Sequence, residues 1–178
     1  MDTLEQAKQS AADLHWLATL LTGRREIATD VTMQALTPAD DPNAFFSTWM
    51  QQWSRRIVIA RALAAVRADL ARSARRTALV RGENSVLPPA SWMLLESTTK
   101  ADLERALLAI EVFPRAAVLL LIFERVPLQD AAILLDSEPA LVRVALAGGL
   151  RDLTINLARM QGWTSTENNP VNEEVQNV

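Results

Sequence analysis

Val126-Pro127-Leu128-Gln129-Asp130-Ala131-Ala132-Ile133-Leu134-Leu135-Asp136-Ser137-Glu138-Pro139-Ala140-Leu141-Val142-Arg143 is the centre of the segment Pro114 to Leu153, which reads as two short apolar helices hinged at Leu135-Asp136-Ser137. Leu128, Ala131, Ala132, Leu134 and Leu135 recur at helical spacing, so Pro127 opens a short helix that Asp136-Ser137 ends. Pro139 then stands where proline suits a first helical turn, with Ser137 or Glu138 at the cap. Leu141, Val142, Ala145 and Leu146 give the second helix an inner face. Upstream, residues 118–123 form a further apolar helix preceded by Pro114. Helix, tight turn and helix is the arrangement that lays a second helix in a major groove. A groove reader normally carries Lys or Arg, because counterion release supplies much of the affinity. Here residues 126–153 hold Arg143 and Arg151 against Asp130, Asp136, Glu138 and Asp152. A helical hairpin that merely packs is therefore the competing reading.

The front of the chain is a separate helical block. A first helix over about residues 4–22 places Ala11, Leu14, Leu17, Ala18 and Leu21 on one side, and Gly23 ends it. A second, over about residues 25–36, turns Ile27, Ala28, Val31 and Ala35 inward. Two prolines and three Asp or Asn residues make residues 37–43 a loop. The third helix, about residues 44–76, contains neither Gly nor Pro, and Phe46, Met50, Trp53, Ile57, Ala60, Ala64 and Ala68 are its predicted buried stripe. From residue 55 to 76 seven arginines (Arg55, Arg56, Arg61, Arg67, Arg72, Arg75, Arg76) face Asp69 alone. Such a rod is either a solvated face with tryptophans in the core, or a nucleic-acid surface. In the second case guanidinium groups hold phosphates while an indole stacks on an unpaired base.

Residues 77–100 break the helical pattern with Gly82-Glu83-Asn84-Ser85, Pro88-Pro89 and Ser97-Thr98-Thr99. They read as a flexible linker with a helical turn around residues 92–95. The expected organisation is all-α: a helical domain over residues 1–76, that linker, a second helical domain over residues 101–163, and a disordered acidic tail over residues 164–178. A chain of 178 residues with 49% hydrophobic content can bury a core in one domain or two. The absence of cysteine excludes disulfides and thiolate metal sites within the chain, and fits a reducing, cytoplasmic setting. No apolar run reaches the length of a membrane span, so no membrane insertion is expected. His15, the single histidine, lies in an apolar helical stripe and reads as structural. Glu124, Asp130 and Asp136 read as scattered, solvent-facing acids. With no phosphate loop and no dinucleotide fingerprint, neither an enzyme nor a cofactor or metal site is expected.

Taken together, the two blocks resemble a compact bacterial sigma factor of the extracytoplasmic-function group, which keeps only the second and fourth conserved regions of the sigma-70 family. The likeness runs from about residue 11 to 160 and rests on the order of several short motifs. Residues 21–31, Leu-Thr-Gly-Arg-Arg-Glu-Ile-Ala-Thr-Asp-Val, look like the family's Leu-Thr-Gly turn, charged pair and Ala-x-Asp-Leu core. Phe46-Ser47-Thr48-Trp49-Met50 resembles its Phe-x-x-Trp-Leu signature, and Arg55-Arg56 falls where Arg-Asn is usual. Residues 107–121 resemble the Leu-Pro-x-x-x-Arg-x-Val-Leu-Leu-Leu helix. Residues 123–132 look like Tyr-x-Glu-Gly-x-Ser-x-x-Glu-Ile-Ala, and Leu141-Val142-Arg143 matches Thr-Val-Lys.

The resemblance implies a DNA-binding factor that joins core RNA polymerase and directs it to promoter DNA. It puts polymerase contacts at Asp30 and Gln34, and minus-ten recognition and opening at Trp49, Trp53, Arg55, Arg56 and Arg61. The helix-turn-helix would read the duplex minus-thirty-five element through residues 138–150, with Arg143 the main contact. Several positions depart from the pattern. Met33-Gln34 replaces a Gln-Glu pair, and Asp136 stands at the glycine of the turn. The basic positions of the reading helix are Ala145, Ala147, Gly148 and Gly149, and the paired glycines are expected to shorten or kink that helix. These departures keep two other classes open: a sigma-like protein that acts by binding a protein partner, an anti-sigma factor or polymerase itself, and a plain helix-turn-helix repressor.

Overall fold

Every residue from Phe113 to Leu120 is buried, so this segment must be covered on all sides, as an all-round apolar helix requires. The computed structural model describes residues 3–36, 44–79, 87–88 and 98–163, and the described residues contain helices and no strand. In chain order the helices are α1 (Thr3–Thr22), α2 (Arg25–Ala35), α3 (Ala44–Ala65), α4 (Arg67–Leu79), α5 (Lys100–Leu108), α6 (Val112–Val118), α7 (Leu128–Leu134) and α8 (Pro139–Met160). A π-helical turn, Leu119–Phe123, extends α6. α1, α2 and α3 pack on one another, while α6 is flanked by α4 and α8 and also touches α1. The buried side chains of the front block (Leu14, Leu21, Val58, Leu63) and of the rear block (Leu107, Phe113, Leu120, Val142) belong to one continuous cluster. Most of the expected linker and all of the expected tail lie outside the described residues.

Helix ends follow their local chemistry. Gly23 closes α1 at φ +69°, a conformation cheap only for glycine. Thr99 and Asp102 form a reciprocal cap at the start of α5, and Thr99's hydrogen bonds hold the Asp102 carboxyl below its usual range. Asp136 takes the left-handed place after α7 at φ +49°. Its N–H donates to the Ile133 carbonyl at 3.2 Å, and that of Ser137 donates to Ala132 at 3.0 Å, which is the Schellman pattern. The turn is thus built without glycine, since Asp tolerates this region better than most residues. The same pattern ends α8, with Gly162 at φ +96° and Trp163 buried behind it.

Three sequence readings are corrected. The long third helix is two, α3 and α4, with a break at Val66. Its buried face is Ser54, Val58, Ile59, Ala62, Leu63, Val66, Leu70 and Ser73, whereas Trp53, Ala60, Ala64 and Ala68 of the predicted stripe are exposed. Alanine recurs on both faces of this rod, so spacing alone is ambiguous, and the branched aliphatics win the interior because they bury more apolar surface. Finally, α8 runs without interruption through Gly148 and Gly149 to Met160. A Cβ on Gly149 would lie 2.7 Å from Val118 Cγ2 and 2.8 Å from the Pro114 carbonyl oxygen, so this glycine lets α8 press against α6. The packing gained there outweighs the roughly 1 kcal/mol of helix propensity that glycine gives up.

The two glycines should therefore respond in opposite directions. Gly148 faces open space, so Gly148→Ala should stabilise the protein by about 0.5–1 kcal/mol. Gly149→Ala should destabilise it by about 1–3 kcal/mol through overpacking. Urea denaturation of both variants checks this, and equal shifts would refute the close α6–α8 approach.

Candidate nucleic-acid interface

The exposed side of α3 carries Trp53, Arg56 and Arg61. Trp53 is 49% exposed, so the indole is not sealed in the core. Arg56 lies one turn on, and Arg61 reaches across to α2, where it donates to the side-chain oxygen of Gln34. Asp30 and Gln34 are four residues apart on the exposed side of α2, with Met33, 70% exposed, between them. Arg61 therefore joins the exposed sides of α2 and α3 into one surface. The side chain of Trp49 lies outside the described residues. Arg143 stands apart from this group, exposed on α8 in the rear half of the chain.

Arg55 has a different setting. Its Nε and Nη2 donate to both carboxylate oxygens of Glu124, each at 2.5 Å. The Glu124 side chain is only 7% exposed, contrary to the sequence reading of a solvent-facing acid. The π-helical turn explains the placement: the Glu124 N–H bonds to the Leu119 carbonyl five residues back, which rotates the residue inward. This hydrogen bond to Glu124 holds the Arg55 guanidinium above its ordinary pKa, against the opposing effect of burial.

Other arginines of the rod also reach the rear half. Arg67 pairs with Asp136 at 3.1 Å, and Arg76 Nε donates to Glu111 at 2.9 Å. Glu111 also accepts from the Ser73 hydroxyl at 2.8 Å, while Ser73 Oγ accepts the Phe113 N–H at 3.2 Å and so caps α6. Burial raises the Glu111 pKa, but the Arg76 and Ser73 hydrogen bonds outweigh it and leave the carboxyl below its usual value. Trp16 Nε1 donates to Glu104 at 3.0 Å, and Lys100 sits 4.7 Å from the centre of the Trp16 ring, tying α5 to α1. Among the described residues, Arg56 and Arg75 are the rod's arginines without an ion pair or hydrogen bond to a side chain.

Arg115 is 6% exposed and has no carboxylate among the described residues. Its Nη1 donates to the carbonyls of Leu108, at 3.2 Å, and Ile110, at 2.9 Å, satisfying the end of α5. Burial pushes its pKa down to about 10, so it remains charged at neutral pH. Sequence reasoning passed over Arg115, Ser73 and Glu111 and misplaced Glu124, because each acquires its role from a residue distant in sequence or from a helix end. The chain matches no protein-family model, no curated protein and no solved structure.

Arg55→Ala leaves a nearly buried carboxylate without its guanidinium and should cost about 1–3 kcal/mol. Arg55→Ala combined with Glu124→Leu should cost less than the sum of the two single changes, as a double-mutant cycle by denaturation will read. Glu111's stabilisation is complete above the unfolded carboxyl pKa of about 4.3 and is lost as pH falls through its lower folded value. Glu111→Gln should therefore flatten the loss of thermal stability between about pH 5 and 3, and an unchanged slope would refute it.

Proposed function

We propose that this protein is a sigma-type transcription initiation factor that directs core RNA polymerase to promoter DNA. The observation that carries the reading is the half-exposed Trp53 on the same side of α3 as Arg56 and Arg61. An indole beside guanidinium groups can stack on an unpaired base and hold the adjoining phosphates, which is what an opened minus-ten strand presents. The outer face of α2, with Asp30 and Gln34, is the polymerase contact, and α8 presents Arg143 to upstream duplex DNA.

The arrangement with both halves on one core corresponds to a closed form. Minus-ten and minus-thirty-five elements lie about 25 base pairs apart, which is about 85 Å of duplex. A folded chain of this size has a radius of gyration of only about 16 Å. Reading both elements at once therefore requires the halves to part, and the Arg55–Glu124 pair is one of the contacts that must open.

Run-off transcription with core polymerase tests the reading. Trp53→Ala or Arg56→Ala should lower specific transcripts about tenfold, given about 1–3 kcal/mol per stacked base, while Glu124→Gln should raise them by releasing Arg55. Unchanged output from both Trp53→Ala and Arg56→Ala would remove the support from α3.

A second reading draws on the outer face of α7 and α8. Ile133 is 78% exposed and Val144 52%, with Leu134 and Leu150 also exposed, and Arg143 is the only cation from Pro139 to Leu150. An apolar face of this kind suits a protein partner, an anti-sigma factor or polymerase itself, better than a phosphate backbone. Specific transcripts on adding the protein to core enzyme would refute a purely partner-binding role.

A further inference from the structure

A cleft of about 400 Å³ opens where the α1–α2 turn, α4 and α6 meet. Arg24, Arg72, Arg76 and Arg115 line it, with Asp69 the one carboxylate in its wall among the described residues. Arg24 Nη2 approaches Asp69 Oδ2 at 3.1 Å and Arg72 bonds to the other oxygen of the same carboxylate, so one negative charge serves two guanidinium groups. Arg76 is answered by Glu111 at the rim. Arg115 has no acid partner among the described residues: Nη1 is taken by two backbone carbonyls, and Nε is buried with no hydrogen-bond partner among them. Its Nη2 lies 3.1 Å from the point a Cβ on Gly23 would occupy, so the missing side chain at residue 23 leaves room for this guanidinium in the wall of the cleft.

We propose that this cleft binds the phosphate group of a small molecule, and that the bound anion ties the two halves of the chain together. A desolvated cation without a counter-charge is costly, and a tetrahedral oxyanion offers the bidentate geometry that guanidinium groups match best. The volume lies in the range of small-molecule sites, and Leu108 and Val112 supply apolar wall for whatever carries the phosphate. The walls come from both halves: Gly23, Arg24 and Arg72 from the front, Val112 and Arg115 from the rear. A ligand that needs both raises the stability of the docked arrangement by mass action. The site would stand whether or not the protein acts in transcription.

Isothermal titration and thermal melting of the full chain, at constant ionic strength set with sodium chloride, provide the test. Inorganic phosphate, pyrophosphate and ATP are the probes. We expect saturable binding by at least one of them and a melting temperature that climbs with its concentration. Tight binding of ATP with weak binding of inorganic phosphate would assign the site to nucleotides, and comparable binding of both to the free anion. Arg24→Gln with Arg72→Gln, two exposed positions, should weaken binding at least tenfold. Arg56→Gln with Arg75→Gln removes the same charge away from the cleft and should leave binding intact. No saturable binding by any probe, or equal losses in the two double variants, would overturn the proposal.

Discussion

The fold depends on covering α6. From Phe113 to Leu120 the chain presents no face to solvent, and at about 25 cal/mol per Å² of apolar surface a segment of this kind leaves water only if other helices surround it. The front half supplies one side through α1 and α4, and the rear half supplies the other through α8. Gly149 permits the closest approach, and Ser73 caps the start of the buried helix. The π-helical turn beyond α6 then sets Glu124 facing the front half, where Arg55 meets it.

Electrostatics follows the same geometry. The arginines of the α3–α4 rod look like a surface for an external polyanion, yet Arg55, Arg67 and Arg76 are used against carboxylates of the rear half. Exposed pairs of this type contribute about 0–1 kcal/mol each, so Arg67–Asp136 orients more than it stabilises. Arg55–Glu124 differs because the carboxylate is nearly buried and both of its oxygens are engaged. Exposed on α3 are Trp53, Arg56 and Arg61, and the Arg61–Gln34 bond makes this side continuous with the exposed side of α2 that carries Asp30.

Much of the local structure was legible in the residues. Gly23, Pro127, Asp136-Ser137 and Pro139 mark helix ends by rules that involve only near neighbours, and the helices begin and stop beside them. The inner face of α1 carries leucines at clear spacing, and the expected Ala28, Val31 and Ala35 of α2 and Val142 and Ala145 of α8 are also buried. α3 was misread because Ala60, Ala64 and Ala68 match a buried period as well as Val58, Ala62 and Val66 do, and only the neighbouring helices distinguish the two. Gly149 was misread for a related reason: propensity describes an isolated helix, whereas the contact with Pro114 and Val118 belongs to a pair.

Helical class, punctuation and most amphipathic stripes were thus determined by the sequence alone, because they rest on interactions over three or four residues. The tertiary structure decided which side of α3 faces water, that Glu124 is shielded, that front and rear blocks draw on one core, and that Arg115 lines a cleft with no carboxylate paired to it among the described residues. Each of these joins positions tens of residues apart, and such pairings are set by how helices of fixed shape fill space together. Residue order carries that information only through the packing itself.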